Sequence, residues 1–193
     1  MDLVGAIEVF AFVTGILYIV LEILQKNAMW VVGILTGVAC AVSFAIQHSW
    51  GMMALNVYYT VMSVVGILQW RKDGAEVPEG AIHLNALPRK TALWSAVGFV
   101  FGSLVLIGIL RLLGDDASRL DAAATVLSVI ATWWLTRSYP QQWILWIVAD
   151  ILTASLCFST GQYWLFVLYL AYVASAVYGF LHWRRKGQYI GIP

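Results

Sequence analysis

The stretch "VLYLAYVASAVYGFLHWRR", residues 167–185, decides the fold, because it is both a membrane span and one copy of a repeat. Its apolar run suits a helix of roughly 20 residues that crosses a bilayer, and it ends on Trp183 and two arginines. The stretch "ALNVYYTVMSVVGILQWRK", residues 54–72, has the same layout. Both carry tyrosine, glycine, tryptophan and arginine at matching positions. The chain therefore predicts a membrane protein with an internal duplication.

The composition supports a membrane protein along the whole chain. Of 193 residues, 62% are hydrophobic and only 11% are charged, and the mean hydropathy is +0.83. A soluble domain is about half apolar and a quarter charged. We therefore expect a lipid bilayer as the surrounding partner and no nucleic acid. The two cysteines, Cys40 and Cys157, lie inside apolar runs and are interpreted as small packing residues.

Seven apolar segments are long enough to be spans. They cover residues 3–24, 28–46, 50–70, 92–113, 119–137, 142–159 and 162–183. The one long connection, residues 71–90, contains glycine, proline and charges, so we expect a solvated loop. The three histidines, His48, His83 and His182, are expected to be solvated too, because they lie in loops or at span ends.

Basic residues are distributed unequally between the two sides that seven spans define. One side carries nine of them and the other only Arg111 and Arg119. The positive-inside rule then places the N-terminus outside and the C-terminus in the cytoplasm, together with the long loop. The nine are Lys26, Arg71, Lys72, Arg89, Lys90, Arg137, Arg184, Arg185 and Lys186.

A shift of 113 residues aligns the two ends of the chain without a gap. The matched pairs include Glu8 with Asp121, Trp30 with Trp143, Tyr59 with Tyr172, Gly66 with Gly179, and Trp70 with Trp183. The sequence therefore predicts an all-α integral membrane protein with seven transmembrane helices in a 3+1+3 parallel duplication. Residues 1–74 form the first repeat, 75–115 the loop and linking helix, and 116–193 the second repeat. Such repeats are typical of transporters, with the site between the halves. A duplication without transport is the alternative.

The sixth span carries a carboxylate in an apolar context. Trp143, Trp146 and Asp150 share one helical face at positions i, i+3 and i+7. Asp150 lies roughly 12 Å beyond the start of the span, where an isolated charge costs at least about 3 kcal/mol. No basic residue lies at comparable depth, so the carboxyl is either protonated or meets a ligand. Tryptophan attracts cations and stacks on flat rings, which favours an aromatic cation. An interfacial aromatic belt is the alternative for the two indoles.

Spans 3 and 7 each carry a polar stripe on one helical face. Asn56 and Tyr59 lie on the first stripe, and Tyr169 and Tyr172 on the second. Polar groups in a span face the bundle interior, so these four are candidate substrate contacts. The alternative is plain helix packing at the glycines of the same stripes.

Catalytic signatures are missing from the sequence. No HExxH, GxSxG or phosphate-binding glycine loop occurs. We therefore expect no enzyme, no metal, no cofactor and no ATP-driven pump. In span 4, Gly98 and Gly102 have the G-x-x-x-G spacing of close helix packing.

The pattern resembles the PnuC family of vitamin-precursor transporters. The matching residues are "QKNAMWVVG" at 25–33, "WILW" at 143–146 with Asp150, and the terminal span 167–185. The resemblance implies a SWEET-like fold, a homotrimer in the bacterial inner membrane, and facilitated diffusion of nicotinamide riboside. It also implies that the substrate is trapped inside by phosphorylation, without ATP or ion coupling in the carrier.

Span 3 departs from the family pattern at several positions. The family usually has glutamine in place of Asn56, asparagine in place of Ser63, and tyrosine in place of Val65. Because this span lines the site, thiamine and riboflavin remain alternative substrates. A proton-coupled carrier that uses Asp150, and a receptor or assembly subunit without transport, are the alternatives from other classes.

Overall fold

The computed structural model describes residues 3–112 and 119–190, without the side chains of residues 4 and 8. The predicted match of Glu8 with Asp121, the end of span 4 at residue 113 and the repeat boundary at residues 115–116 therefore involve residues outside the described part. The elements in chain order are α1 (Leu3–Ile23), α2 (Ala28–Ile46), α3 (Trp50–Gly74), β1 (Ile82–Leu84), α4 (Arg89–Leu112), α5 (Arg119–Thr136), α6 (Gln142–Ser159), α7 (Tyr163–Lys186) and β2 (Gly187–Tyr189).

The prediction of a helical fold with seven helices is confirmed. Three helices extend beyond their predicted spans, because their charged ends continue the helix past the apolar run: α3 to Gly74, α4 back to Arg89 and α7 to Lys186. In the described part, every helix except α5 is long and apolar enough to cross a membrane. Helix α5 begins with Arg119 and Asp121, and its assignment as a span stays a prediction.

The chain divides by packing into two compact units. The first contains residues 1–84, 136–138 and 186–193, and the second contains residues 85–135 and 139–185. This division places β2 with the first unit and α4 with the second. The predicted division into 1–74, 75–115 and 116–193 concerns the duplication and stays a prediction.

In the first unit, α2 packs against both α1 and α3. The hydroxyl of Thr36 on α2 donates to that of Thr14 on α1 at 2.7 Å. Trp30 of α2 is fully buried against Gly66 of α3, where an added Cβ would collide with the indole. Trp70 meets the same indole edge to face, with ring centroids 4.9 Å apart.

The prediction of a solvated loop is partly wrong, because residues 82–84 in its second half are buried. Residues Ile82–Leu84 form β1, which pairs in parallel with Gly187–Tyr189 of β2. His83, also predicted to be solvated, is only 4% exposed. The side chain of Gln25 bonds both backbone groups of His83. The His83 N–H donates to Gln25 Oε1 at 2.7 Å, and Gln25 Nε2 donates to the His83 carbonyl at 2.9 Å. The two short strands are also absent from the predicted all-α fold, since three-residue strands leave no periodic pattern.

In the second unit, α6 and α7 meet through an indole. Trp143 of α6 lies on Gly179 of α7, and Trp183 meets it edge to face at 5.5 Å. Helices α4 and α5 are joined by Trp134, whose Nε1 donates to Ser95 Oγ at 3.1 Å.

The predicted G-x-x-x-G packing site in α4 is only half used within the described residues. A Cβ on Gly102 would lie 3.3 Å from Val126 of α5, whereas nothing lies within 4 Å of one on Gly98.

Candidate substrate site

The polar face of α6 begins directly after Pro140. The helix itself starts at Gln142, with Gln141 as its N-cap. From that start, Trp143, Trp146 and Asp150 follow at helical spacing on one face. Their environments differ: Trp143 is 2% exposed, while Trp146 and Asp150 are half-buried.

Trp143 has a packing role in the structure. Its ring is in contact with Gly179, and the atoms Cη2 and Cζ2 lie 2.6 and 2.7 Å from where a Cβ on that glycine would be. Trp183 covers it from another side. With only 2% of its surface exposed, its ring faces are occupied by protein. Contact of Trp143 with substrate stays a prediction.

Asp150 has two tyrosines of α7 as electrostatic neighbours. Its carboxylate interacts with the phenol groups of Tyr169 and Tyr172. The two phenol rings lie edge to face, with centroids 5.6 Å apart. Three of the predicted contacts are therefore brought together by α6 and α7 within the second unit. The site itself stays a prediction.

No cation balances Asp150 within residues 85–112 and 119–185. The helices α6 and α7 carry basic side chains only at the C-terminal end of α7, beyond residue 181. Trp146, one turn before Asp150, has a buried indole Nε1 for which the described residues supply no hydrogen-bond acceptor. The second unit thus combines an unbalanced carboxylate, two phenols and an unused indole donor.

Asn56 and Tyr59, the predicted contacts on α3, lie in the first unit. The Asn56 amide donates to the Met52 carbonyl of its own helix at 2.9 Å, which leaves its oxygen as the remaining acceptor. Tyr59 interacts electrostatically with the buried phenol of Tyr18 on α1. Tyr18 also faces Glu22, an acid only 4% exposed. Glu22 was not among the predicted contacts, because it lies at the end of a span.

The first unit has glycines where the second has its candidate residues. Under the 113-residue shift, Gly33 corresponds to Trp146 and Gly37 to Asp150. A Cβ on Gly33 would lie 2.7 Å from Ser63 Oγ, and one on Gly37 would collide with Thr60 Oγ1. The seam between α2 and α3 therefore has no room for an indole or a carboxylate. The alignment of the two repeats already contains this difference between glycines and the Trp146–Asp150 pair.

An acid and aromatic side chains inside the helices of a multi-helix membrane protein mark a functional site, such as the substrate pathway of a small-molecule transporter. The family described as "Nicotinamide mononucleotide transporter" matches residues 5–185. A relative named nicotinamide riboside transporter PnuC, from Neisseria mucosa, is 32% identical over 92% of this chain and 73% of its own length. The same name belongs to a Haemophilus influenzae relative that is 26% identical over 90% of this chain and 76% of its own.

A solved structure agrees with these relatives. The structure described as the crystal structure of the vitamin B3 transporter PnuC superposes with a TM-score of 0.70 at 27% identity, and the match covers 95% of this chain and 87% of that one. The chain belongs to the PnuC family of nicotinamide riboside and vitamin B3 transporters. The family resemblance derived from the sequence is confirmed, and so is the expectation that the protein is not an enzyme.

Proposed function

We propose that this chain carries nicotinamide riboside across the bacterial cytoplasmic membrane by facilitated diffusion. The observation that carries the proposal is Asp150, a half-buried carboxylate in the middle of α6 whose neighbours on α7 are tyrosines rather than cations. The relatives from Neisseria mucosa and Haemophilus influenzae, both named as nicotinamide riboside transporters, support the same substrate.

The chemistry of the substrate fits these side chains. Nicotinamide riboside has a flat pyridinium ring with a positive charge and a ribose with hydroxyl groups. The Asp150 carboxylate balances the ring charge, and the Trp146 indole offers a face for stacking and cation–π attraction. The phenols of Tyr169 and Tyr172 supply donors and acceptors for ribose hydroxyls. Asn56 and Tyr59 of α3 stay substrate contacts predicted from the sequence.

Energetics favours a cationic substrate over a neutral one. A carboxylate at this depth costs at least about 3 kcal/mol on insertion scales. A bound cation offsets part of that cost, whereas a neutral ligand leaves it in place. Thiamine is also a flat aromatic cation and remains the alternative substrate, while the neutral riboflavin fits Asp150 less well.

The proposal includes topology and assembly. The unequal distribution of basic residues supports seven spans with the C-terminus in the cytoplasm. The 113-residue shift supports a parallel duplication with its axis along the membrane normal. The family resemblance supports a homotrimer.

Counterflow in liposomes with labelled nicotinamide riboside tests the proposal. Asp150→Asn keeps the shape but removes the charge, so the affinity should fall about ten- to a hundredfold, the range of a charge-assisted contact. Reduced nicotinamide riboside, which is neutral and similar in shape, should lose much less. Glu76→Gln removes a charge in the exposed loop and serves as the matched control.

Three outcomes contradict parts of the proposal. Equal losses for the charged and the neutral ligand would make Asp150 a hydrogen-bonding scaffold. Counterflow of labelled thiamine alone would change the substrate. Accumulation that follows a pH gradient between about pH 5 and pH 8, and that Asp150→Asn abolishes, would indicate a proton-coupled carrier instead of a facilitator.

A further inference from the structure

A polar cavity of about 360 Å³ lies in the first unit, and none of its lining residues belongs to the proposed substrate contacts. The turn between α1 and α2, the C-terminal end of α3 and the loop before β1 form its walls. Charged and aromatic groups on these walls are Lys26, Trp70, Arg71, Glu79 and His83. The membrane spans do not need such a cavity, and the proposed transport does not use it.

The walls are held in place by the loop's own contacts. Gln25 bonds both the N–H and the carbonyl of His83, and β1 pairs with β2 directly beside it. Gly80, with φ of +80°, makes the turn that brings the loop back toward α3. The cavity is therefore a fixed feature of the fold, with its shape set by hydrogen bonds before any ligand enters.

The balance of charge on the walls is positive. Lys26 and Arg71 are exposed and make no ion pair with any residue in the described ranges. Glu79 is the acid that lines the cavity. A second acid, Asp73, is buried and is not a lining residue; it accepts a hydrogen bond from Gln69 Nε2 at 2.9 Å and interacts electrostatically with His83. Two cations thus face the cavity against one exposed carboxylate.

His83 lines the same cavity, and its packing fixes this part of the wall. The residue is 96% buried, and its ring lies edge to face against Trp70 with centroids 5.6 Å apart. The edge with Nδ1 and Cε1 faces Gly74, about 4 Å from where a Cβ would be. The Nε2 atom is buried and has no hydrogen-bond partner among the described residues. A buried polar atom without a partner is costly, so native structures usually supply one.

We propose that this cavity binds a phosphate group. Arginine matches phosphate oxygens with two parallel N–H bonds, and lysine adds a mobile point charge. His83 forms part of the cavity wall, but its Nε2 atom has almost no accessible surface, so the two cations carry the binding. The phosphate belongs either to a soluble phosphate monoester or to the headgroup of an anionic lipid, since the loop lies at the end of membrane-spanning helices.

Titration of the full-length protein with inorganic phosphate tests the site. The protein is placed in nanodiscs of neutral lipid, and binding is followed by calorimetry. Lys26→Gln and Arg71→Gln should each weaken phosphate about three- to tenfold, between the values for exposed and buried charged contacts. Arg185→Gln, an exposed cation at the end of α7 outside the cavity, is the matched control and should bind like the unaltered protein.

Two further experiments test the cavity by a second variant and distinguish a soluble phosphate ester from a lipid headgroup. Gly74→Leu fills the cavity without changing its charge, and it should abolish phosphate binding in a protein that still folds. In nanodiscs with anionic lipid, phosphate that no longer binds indicates a headgroup in the cavity, whereas unchanged binding indicates a soluble ligand. The proposal is overturned if phosphate binding is undetectable in neutral discs, or if it is the same in all four variants.

Discussion

The contact between Trp143 and Gly179 predicts a specific penalty for adding one methyl group. In Gly179→Ala, the new Cβ would lie 2.6 Å from Cη2 of the indole, whereas ordinary contacts begin at 3.4 Å. The ring or the helix must therefore move by about 0.8 Å. The indole is rigid and Trp183 blocks one side of it, so we expect the full cost of overpacking, about 1 to 3 kcal/mol.

The apparent melting temperature of the purified protein in detergent measures this cost. For a chain of this size, 1 kcal/mol corresponds to about 2 to 4 °C, so Gly179→Ala should melt about 2 to 12 °C lower. Gly108→Ala is the matched control, because nothing lies within 4 Å of its new Cβ. Alanine is the better helix former, so that variant should melt within about 2 °C of the unaltered protein or slightly higher.

A double variant identifies the indole as the cause. Trp143→Leu removes the ring that the new methyl group meets, so it should cost less in the Gly179→Ala background than alone. The coupling between the two changes should be about 0.5 to 3 kcal/mol. If Gly179→Ala melts like Gly108→Ala, the indole moves freely and the packing role of Trp143 is refuted.

Two more predictions concern the two hydrogen bonds between the Gln25 side chain and the His83 backbone, which we call the clasp. Gln25→Leu leaves both backbone groups of His83 buried and unpaired, which costs about 1 to 3 kcal/mol each. Amide hydrogen exchange in residues 82–84 should therefore become faster. Gln47→Leu, at an exposed position, is the control and should leave that exchange unchanged. Burial lowers the pKa of the His83 imidazole and the Asp73 carboxylate opposes that shift, with Lys26, Arg71 and Glu79 as the other facing charges. The clasp should therefore be stable above about pH 6.5 and lose protection as the pH falls below it, where the unfolded segment binds more protons. Exchange that is independent of pH after correction for intrinsic rates would contradict this.

The helices were predictable because hydropathy alone encodes them. Length and apolar content placed α2 at residues 28–46, the range that the structure gives. The pairing of β1 with β2 was not predictable, because these three-residue strands join residues about a hundred positions apart. The burial of His83 was not predictable either, because no local sequence pattern indicates it. Its burial depends on Gln25, 58 residues earlier in the chain.

The candidate site was predictable only in part. The position of Asp150 in an apolar helix marked it from the sequence, because a charge in the membrane needs a reason. Tyr169 and Tyr172 were predicted as contacts from their helical stripe, but their proximity to Asp150 depends on the packing of α7 on α6. The burial of Trp143 could not be read from spacing, since an indole on a helical face looks the same whether a ligand or a glycine lies against it.

The proposed duplication separates scaffold from site by comparison of the two repeats. Positions that both repeats share have the same packing role in each unit: Trp30 lies on Gly66 as Trp143 lies on Gly179. Positions that the repeats do not share are free of that role, and here the second repeat has Trp146 and Asp150 where the first has glycines. We therefore infer that Trp143 belongs first to the scaffold. In the proposed function, recognition of the cation is assigned to the unshared pair, because the seam of the first repeat is closed by Ser63 and Thr60.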